Sequence, residues 1–477
     1  MGDEIENNQF NPEDYSTYFS KLKKETETLK GIFKNQSFSD DQPMCGIEQE
    51  AWITNKQHYP APENQFLLDE IKSDLLSPEL AKFNIEFNVT PQNISDNGLF
   101  KMQEELSALW SQCETKLQEK DLILHMVGIL ATVRDKELVL ENMSQMNRYQ
   151  ALNDQVLKLR NGKPLKLDIV GVENLRSEHH DVMLESAATS FQIHRQIPSE
   201  QSARYYNAAI LVSAPMVALC ANSPFLFGRA LWDETRIPLF EQAVEVGGYG
   251  GAANGPIRRV TFGSGYARES MFECFQENLD HYPVLLPVSL DDSDNTLPYL
   301  RMHNGTIWRW NRPLIGFDKN GKSHLRIENR VISAGPTIID EIANAAFFYG
   351  LQEYYATYED APEQKLTFSD AKQNFYAAAQ YGLNAKINWL DGKKHPTLNL
   401  LLKEFIKNAR QGLNMLDVNS NDIKDYLAII EARIAKKQTG AEWQKSYVKK
   451  YGKDMNQLTE RYWELQKSGN PVHDWIV

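Results

Sequence analysis

Four short segments, far apart in the chain, share one pattern: apolar and polar residues alternate, and the polar places carry charge. In CGIEQEAWI (residues 45–53), Glu48 and Glu50 fall two apart, so in an extended strand they point the same way. In FNIEFNVT (83–90), Phe83, Ile85, Phe87 and Val89 take one face, and Asn84, Glu86, Asn88 and Thr90 the other. SFQIHRQ (190–196) sets Gln192, His194 and Gln196 against Phe191, Ile193 and Arg195. HLRIENRVI (324–332) sets Arg326, Glu328 and Arg330 against Leu325 and Ile327. Strands with one apolar and one polar face make antiparallel sheets covered on one side only. The pattern predicts an α+β chain: a mostly antiparallel sheet, helices on its apolar face, and a concave polar face bearing these acids.

Any one of these strands also fits a sheet face that merely meets water. Such a face mixes Lys, Thr, Ser and Glu; here Glu recurs at strand centres, with one His and with Arg on both sides of a Glu. Like charges that crowd one surface raise each other's pKa and cost stability unless a cation sits between them. Oxygen-rich donors without sulfur select Mg²⁺ or Mn²⁺ over zinc. Arg326 and Arg330, flanking Glu328, suit two-pronged capture of phosphate or carboxylate oxygens. Together these groups describe a phosphoryl-transfer site whose nucleotide arrives as a metal complex.

The rest of the sequence excludes other classes. Of 477 residues, 64 are acidic and 51 basic, a net charge of −13. A field of that sign repels phosphate backbones and anionic lipid, so neither nucleic acid nor membrane is an expected partner. The longest apolar run (208–221) is too short to span a bilayer and contains Pro215. The four cysteines show no CxxC pair or disulfide spacing, and Cys45 and Cys220 read as buried thiols. The acidic start of the chain has no apolar signal region, which predicts a cytoplasmic protein. Residues 1–43 read as an N-terminal extension with one helix near 15–33, 44–340 as the catalytic core, and 341–477 as a helical region packed on it. Five stretches after Thr337 carry the 3.6-residue apolar period. GGYGGAANGP (247–256) reads as a flexible lid; it is no P-loop, because no Gly-Lys-Ser/Thr follows.

The strands also fall among other motifs in a fixed order: GIEQE (46–50), ELAKFNIEFNVTP with Glu79 and Glu86, GILAT (128–132), NRYQAL (147–152), SFQIHRQ, ANSPFLFGR (221–229), HNGTIWRWNRP (303–313) and HLRIENRVISAGPT (324–337). In this order the chain resembles the glutamate–cysteine ligase type 2 family of carboxylate–amine ligases, which have the glutamine synthetase fold; the last two segments resemble a little-characterised branch of it. The resemblance implies a site for ATP, Mg²⁺ (or Mn²⁺) and an amino acid. It makes Glu48, Glu50, Glu86, His194 and Glu328 metal or nucleotide ligands, with Glu79 ranked behind them, and gives Arg330 the transferring phosphate. One position departs: where the family's strand often has a first His, this chain has Gln192, neutral at every pH and unable to copy a His acid/base role, though it still serves as a contact to substrate or ATP.

Other residues carry two readings each. Arg309 and Arg312 grip a substrate carboxylate or phosphate, or stiffen a loop by stacking on aromatic rings. Arg148 contacts substrate, or pairs with an acidic neighbour on its helix. His303 orients a ligand, or satisfies a buried hydrogen bond. The implied chemistry is ATP-dependent amide formation: a glutamate-like carboxylate becomes an acyl phosphate, and an amine displaces phosphate from it. The competitors are a phosphotransferase on the same scaffold and a non-catalytic relative that binds nucleotide or a partner protein. The amine is left open by the sequence, and an oligomer is compatible with it.

Overall fold

Period-two patterning puts each of the four alternating segments in a strand, and all four enter one sheet. The computed structural model describes residues 4–39, 44–246, 258–291 and 296–477, so the loop read as a lid lies outside the described residues. The sheet comprises β1 (Met44–Asn55), β2 (Leu76–Pro78), β3 (Asn84–Asn88), β4 (Gln92–Asn93), β5 (Leu122–His125), β6 (Ser190–Ile197), β7 (Asn311–Phe317) and β8 (Ser323–Ser333). Its order is β7-β8-β6-β1-β3-β2, with β4 and β5 paired to β1, and every pairing is antiparallel.

Register decides which side chains share a face. Glu50 lies opposite Glu86, Glu48 opposite Gln192, and Glu328 opposite both His194 and Arg312. Directly opposed residues point to the same side, so the acids, His194 and three arginines (312, 326 and 330) occupy one face as expected. In β8 the pairing with β6 shifts between Asn329 and Ile332, and the Arg330 amide donates instead to the Trp310 carbonyl at 2.9 Å. Such irregularities bend a strand and re-aim its side chains.

Ile47, Ile85, Phe87, Phe191, Ile193, Leu325 and Ile327 are buried on the other face, backed by α4 (Ser202–Cys220) and α5 (Ile338–Thr357). The longest apolar run of the sequence is thus part of a core helix, and no described helix is long and apolar enough to cross a membrane. Arg195, also on this face, is neutralised by Glu353 of α5, which accepts from Tyr205 as well.

The longer helices before α4 are α1 (Pro12–Lys34), α2 (Gly98–Gln118) and α3 (Asn147–Leu159). The five periodic stretches after Thr337 are realised in α5 and in α6 (Phe368–Tyr381), α7 (Ile406–Met415), α8 (Ser420–Lys436) and α10 (Met455–Lys467), and a further helix, α9 (Gly440–Tyr451), lies outside them. A small hairpin, Lys386–Asn388 with Lys394–Pro396, interrupts them; it is too short to show a period. α5 and α7 cross at glycine: a Cβ on Gly412 would sit 1.8 Å from the Gly350 carbonyl oxygen, so only glycine lets the backbones meet.

Candidate active site

The polar face holds two neighbouring groups of ligands where one crowded cluster was expected. Glu86 and Glu328 stand on strands three places apart, roughly 14 Å at about 4.8 Å per strand, beyond the reach of one shared ion. The first group is Glu50, Glu79 and Glu86, each of which offers an oxygen within 4.8 Å of the others'. Glu79, ranked last from the sequence, is thus a full member; it follows β2, whose pairing with β3 brings it beside Glu86. The second group is Glu48, His194 and Glu328. His194 Nε2 is 3.0 Å from Glu48 Oε1 but out of line for a hydrogen bond.

The charges in the two groups are balanced differently. In the first, burial and then the neighbouring carboxylates Glu86 and Glu50 push the Glu79 carboxyl well up. Burial also raises Glu50, with Arg330 opposing and Glu86 adding to it. In the second, burial again favours the neutral acid but is overcome. Arg312 Nη2 and Arg330 Nη1 donate to the two oxygens of Glu328, each at 2.7 Å, and hold its pKa near 2. His194 and Arg330 likewise hold Glu48 below the usual carboxylate range.

The first donor set fits a divalent ion as it stands, whereas in the second both Glu328 oxygens are taken by Arg312 and Arg330. The first is all oxygen, which suits Mg²⁺ or Mn²⁺, and its repulsions are those a cation relieves. In the second, both ring nitrogens of His194 are buried with no hydrogen-bond partner among the described residues. A buried imidazole in that place can serve as a ligand beside Glu48, and beside Glu328 once its arginines release it.

A cavity of about 310 Å³ opens against the second group. Its polar lining includes Glu48, His194, Glu328, Arg312, Arg326 and Arg148, and its apolar lining Leu152, Phe275, Leu286, Leu300, Met302, Trp308 and Leu314. Arg326 has no ion-pair partner among the described residues, and burial lowers its pKa. Arg148 lies over the Tyr149 ring and donates to its hydroxyl at 2.8 Å. A larger cavity, about 530 Å³ and lined in part by Glu241, Arg258 and Tyr376, contains none of the strand acids.

Of the residues the sequence proposed for substrate or nucleotide, Arg309 is the correction. It is buried, paired with Glu277 at 3.3 Å, bonded to Asn278, and set over the Tyr282 ring, and it does not line the 310 Å³ cavity. Three residues on, Arg312 lies on β7 opposite Glu328, whereas Arg309 belongs to a short parallel bridge with Thr261. His303 takes its structural reading, with Nε2 3.0 Å from the Asn278 carbonyl and burial lowering its pKa to about 4. Cys45 and Cys220 are buried thiols, their pKa pushed up to about 12 by burial. Sequence reading missed Glu185, in the turn before β6, whose pKa burial and then Glu50 raise to about 8. It also missed Glu4 and Ile5, which line the cavity while Glu4 accepts from the Asn147 and Arg148 amides at the start of α3. Neither belongs to a periodic pattern that could have marked it.

The family model for glutamate–cysteine ligase family 2 matches residues 44–461. Among solved structures, the chain is similar to the glutamate–cysteine ligase of Francisella tularensis in complex with AMP: 12% identity, 91% of this chain and 90% of that one, TM-score 0.53. It is also similar to a bifunctional glutathione synthetase from Pasteurella multocida: 11% identity, 95% of this chain, TM-score 0.52. The match spans 55% of that longer enzyme. At such identities these likenesses speak for the fold alone, a curled antiparallel sheet backed by helices. No curated protein sequence matches the chain.

Proposed function

The chain belongs to glutamate–cysteine ligase family 2, and from that premise we propose that it is a carboxylate–amine ligase that activates a glutamate-like carboxylate with ATP and joins it to an amine. The observation that carries the reading is the pair of ligand groups on one sheet face, with Arg330 between them and a half-apolar cavity beside the second. ATP enters that cavity, its base against Leu300, Met302 and Trp308 and its phosphates toward Arg312 and Arg326. Glu50, Glu79 and Glu86 would hold one Mg²⁺, and Glu48, His194 and Glu328 another; such ions neutralise phosphate charge and orient the nucleotide.

Phosphate oxygens compete with Glu328 for Arg312 and Arg330, and a carboxylate so released can turn to a metal. Arg330 then stabilises charge that develops on the transferring phosphoryl group, using its fixed fork of donors. The substrate carboxylate oxygen attacks the γ-phosphorus, its bond to the ADP oxygen breaks, and an acyl phosphate results. The amine attacks the acyl carbon, phosphate leaves, and the amine proton passes to solvent or to phosphate. Burial of Glu86, Gln192 and Glu328 keeps this face dry, which protects the acyl phosphate from water.

The test uses purified protein with ATP, Mg²⁺, glutamate and hydroxylamine as a surrogate amine, scoring ADP and hydroxamate. Both products, dependent on Mg²⁺, are expected. ADP without hydroxamate across several carboxylates would favour a phosphotransferase; neither product despite ATP binding would favour a non-catalytic relative.

A further inference from the structure

Gln192 is 2% exposed and lies on β6 directly opposite Glu48. Its amide oxygen accepts from Arg330 Nη1 at 3.0 Å, and its Nε2 donates to Glu50 Oε1 at 2.9 Å. The same guanidinium nitrogen donates to Glu328 Oε1 at 2.7 Å. These partners dictate which way the amide points. A guanidinium only donates and a carboxylate only accepts, so the oxygen must face Arg330 and the nitrogen Glu50. Glu50 belongs to the three-carboxylate group and Glu328 to the other, so the series Glu50–Gln192–Arg330–Glu328 ties the two together. Ser190 fixes the far end, its amide donating to Glu50 Oε2 at 2.6 Å and its hydroxyl to Oε1 at 2.8 Å.

We propose that Gln192 is a positioning residue, a neutral spacer that holds Arg330 at a set place between the two acidic groups. The proposal rests on the reading of Arg330 as the group that meets the transferring phosphate. Few side chains can take this position. Glutamate would accept from Arg330 but add a negative charge against Glu50, Glu79 and Glu86. Lysine would satisfy Glu50 but repel Arg330. An aliphatic residue would leave both Arg330 and Glu50 short of a partner in a buried place and free to swing toward each other. An amide meets a fixed cation on one side and a fixed anion on the other without adding charge, and unlike an imidazole it does so at every pH. On this account the missing family histidine is no sign of lost turnover.

The test compares the full chain with Gln192→Met, which removes both hydrogen bonds at similar volume, and Gln192→Glu, which keeps an oxygen for Arg330. Turnover of MgATP with glutamate and hydroxylamine is read beside Mn²⁺ binding by electron paramagnetic resonance and thermal melting. For Gln192→Met we expect kcat to fall about a hundredfold, the loss typical of a misplaced charged group, while KM for ATP stays within about threefold. Mn²⁺ binding and the melt should survive. For Gln192→Glu we expect Mn²⁺ to bind at least as tightly as in the wild type, because a carboxylate has been added, yet turnover to stay low. A Gln192→Met protein with kcat within twofold of wild type would overturn the proposal. So would a joint collapse of turnover, Mn²⁺ binding and melting, which marks a merely structural residue. A wild-type protein that neither binds Mn²⁺ nor turns over ATP would instead overturn the functional reading beneath it, and this proposal with it.

Discussion

Single residues on the polar face differ in what surrounds their charge, and this sets how each responds to pH and substitution. Glu50 and Glu79 have raised folded-state pKa values, first through burial. Between the unfolded carboxylate value, about 4.3, and those raised values the folded chain binds more protons, so this group costs stability as pH rises. An ion bound there replaces the proton. Mg²⁺ should therefore raise the melting temperature more at pH 8 than at pH 5; an equal or reversed difference would place the ion elsewhere. Glu328 behaves oppositely, since Arg312 and Arg330 keep it ionised to about pH 2. Glu328→Gln should cut turnover at least about a hundredfold by removing one charge at constant shape. Because it leaves two buried guanidinium groups facing a neutral amide, it should also lower stability by the few kcal/mol that breaking a buried pair costs (about 3–5), and the melting temperature with it. Melts and initial rates on the same preparation would separate the two effects.

At the scale of elements, how much was legible depends on how local the cause is. Glu48, Glu50, Glu86, His194 and Glu328 could be placed on one face because strand alternation is written in adjacent residues, and sheet pairing then preserves it. The division into two groups was not legible, because it follows from strand order, and nothing in a strand's own residues says how many strands separate it from another. Glu79 was undervalued for the same reason: it sits outside the alternating run, and pairing between two short strands brings it in. Arg309 and Arg312 look equivalent in WRWNRP, yet one joins the antiparallel sheet and the other a parallel bridge. Arg309→Met should thus lower stability while leaving KM for ATP within about twofold; a large rise in KM with an unchanged melt would return it to the site. The α5–α7 crossing was equally hidden, since Gly350 and Gly412 acquire their meaning only when the helices touch.

Across the whole molecule, the N-terminal helix supports the 310 Å³ cavity without entering it. Tyr18, Leu22 and Leu29 form the buried face of α1, and the Tyr18 hydroxyl donates to the Tyr299 carbonyl at 2.7 Å. Glu25, 8% exposed, accepts from the Leu300 amide at 2.8 Å, in the first turn of the helix Pro298–Gly305. A carboxylate there satisfies an amide that the helix itself cannot and meets the positive end of its dipole. Leu300, Arg301 and Met302 from the same helix line the cavity, so a change at Glu25 reaches the site through one short element. The three-carboxylate group stands on β1, β3 and the turn after β2, and owes nothing to that helix. Glu25→Ala should therefore raise KM for ATP several-fold and cost about 1 kcal/mol of stability, as loss of a helix cap does. Mn²⁺ binding at Glu50, Glu79 and Glu86 should not change. Glu27→Ala on the exposed side of α1, where Glu27 meets Lys30 at 3.9 Å, is the control and should alter neither quantity. Calorimetric titration of ATP and of Mn²⁺ into the three proteins would decide it. If Glu25→Ala weakened both ligands equally, α1 would be holding up the sheet as a whole; if it weakened neither, the helix at 298–305 would keep its place by apolar packing alone.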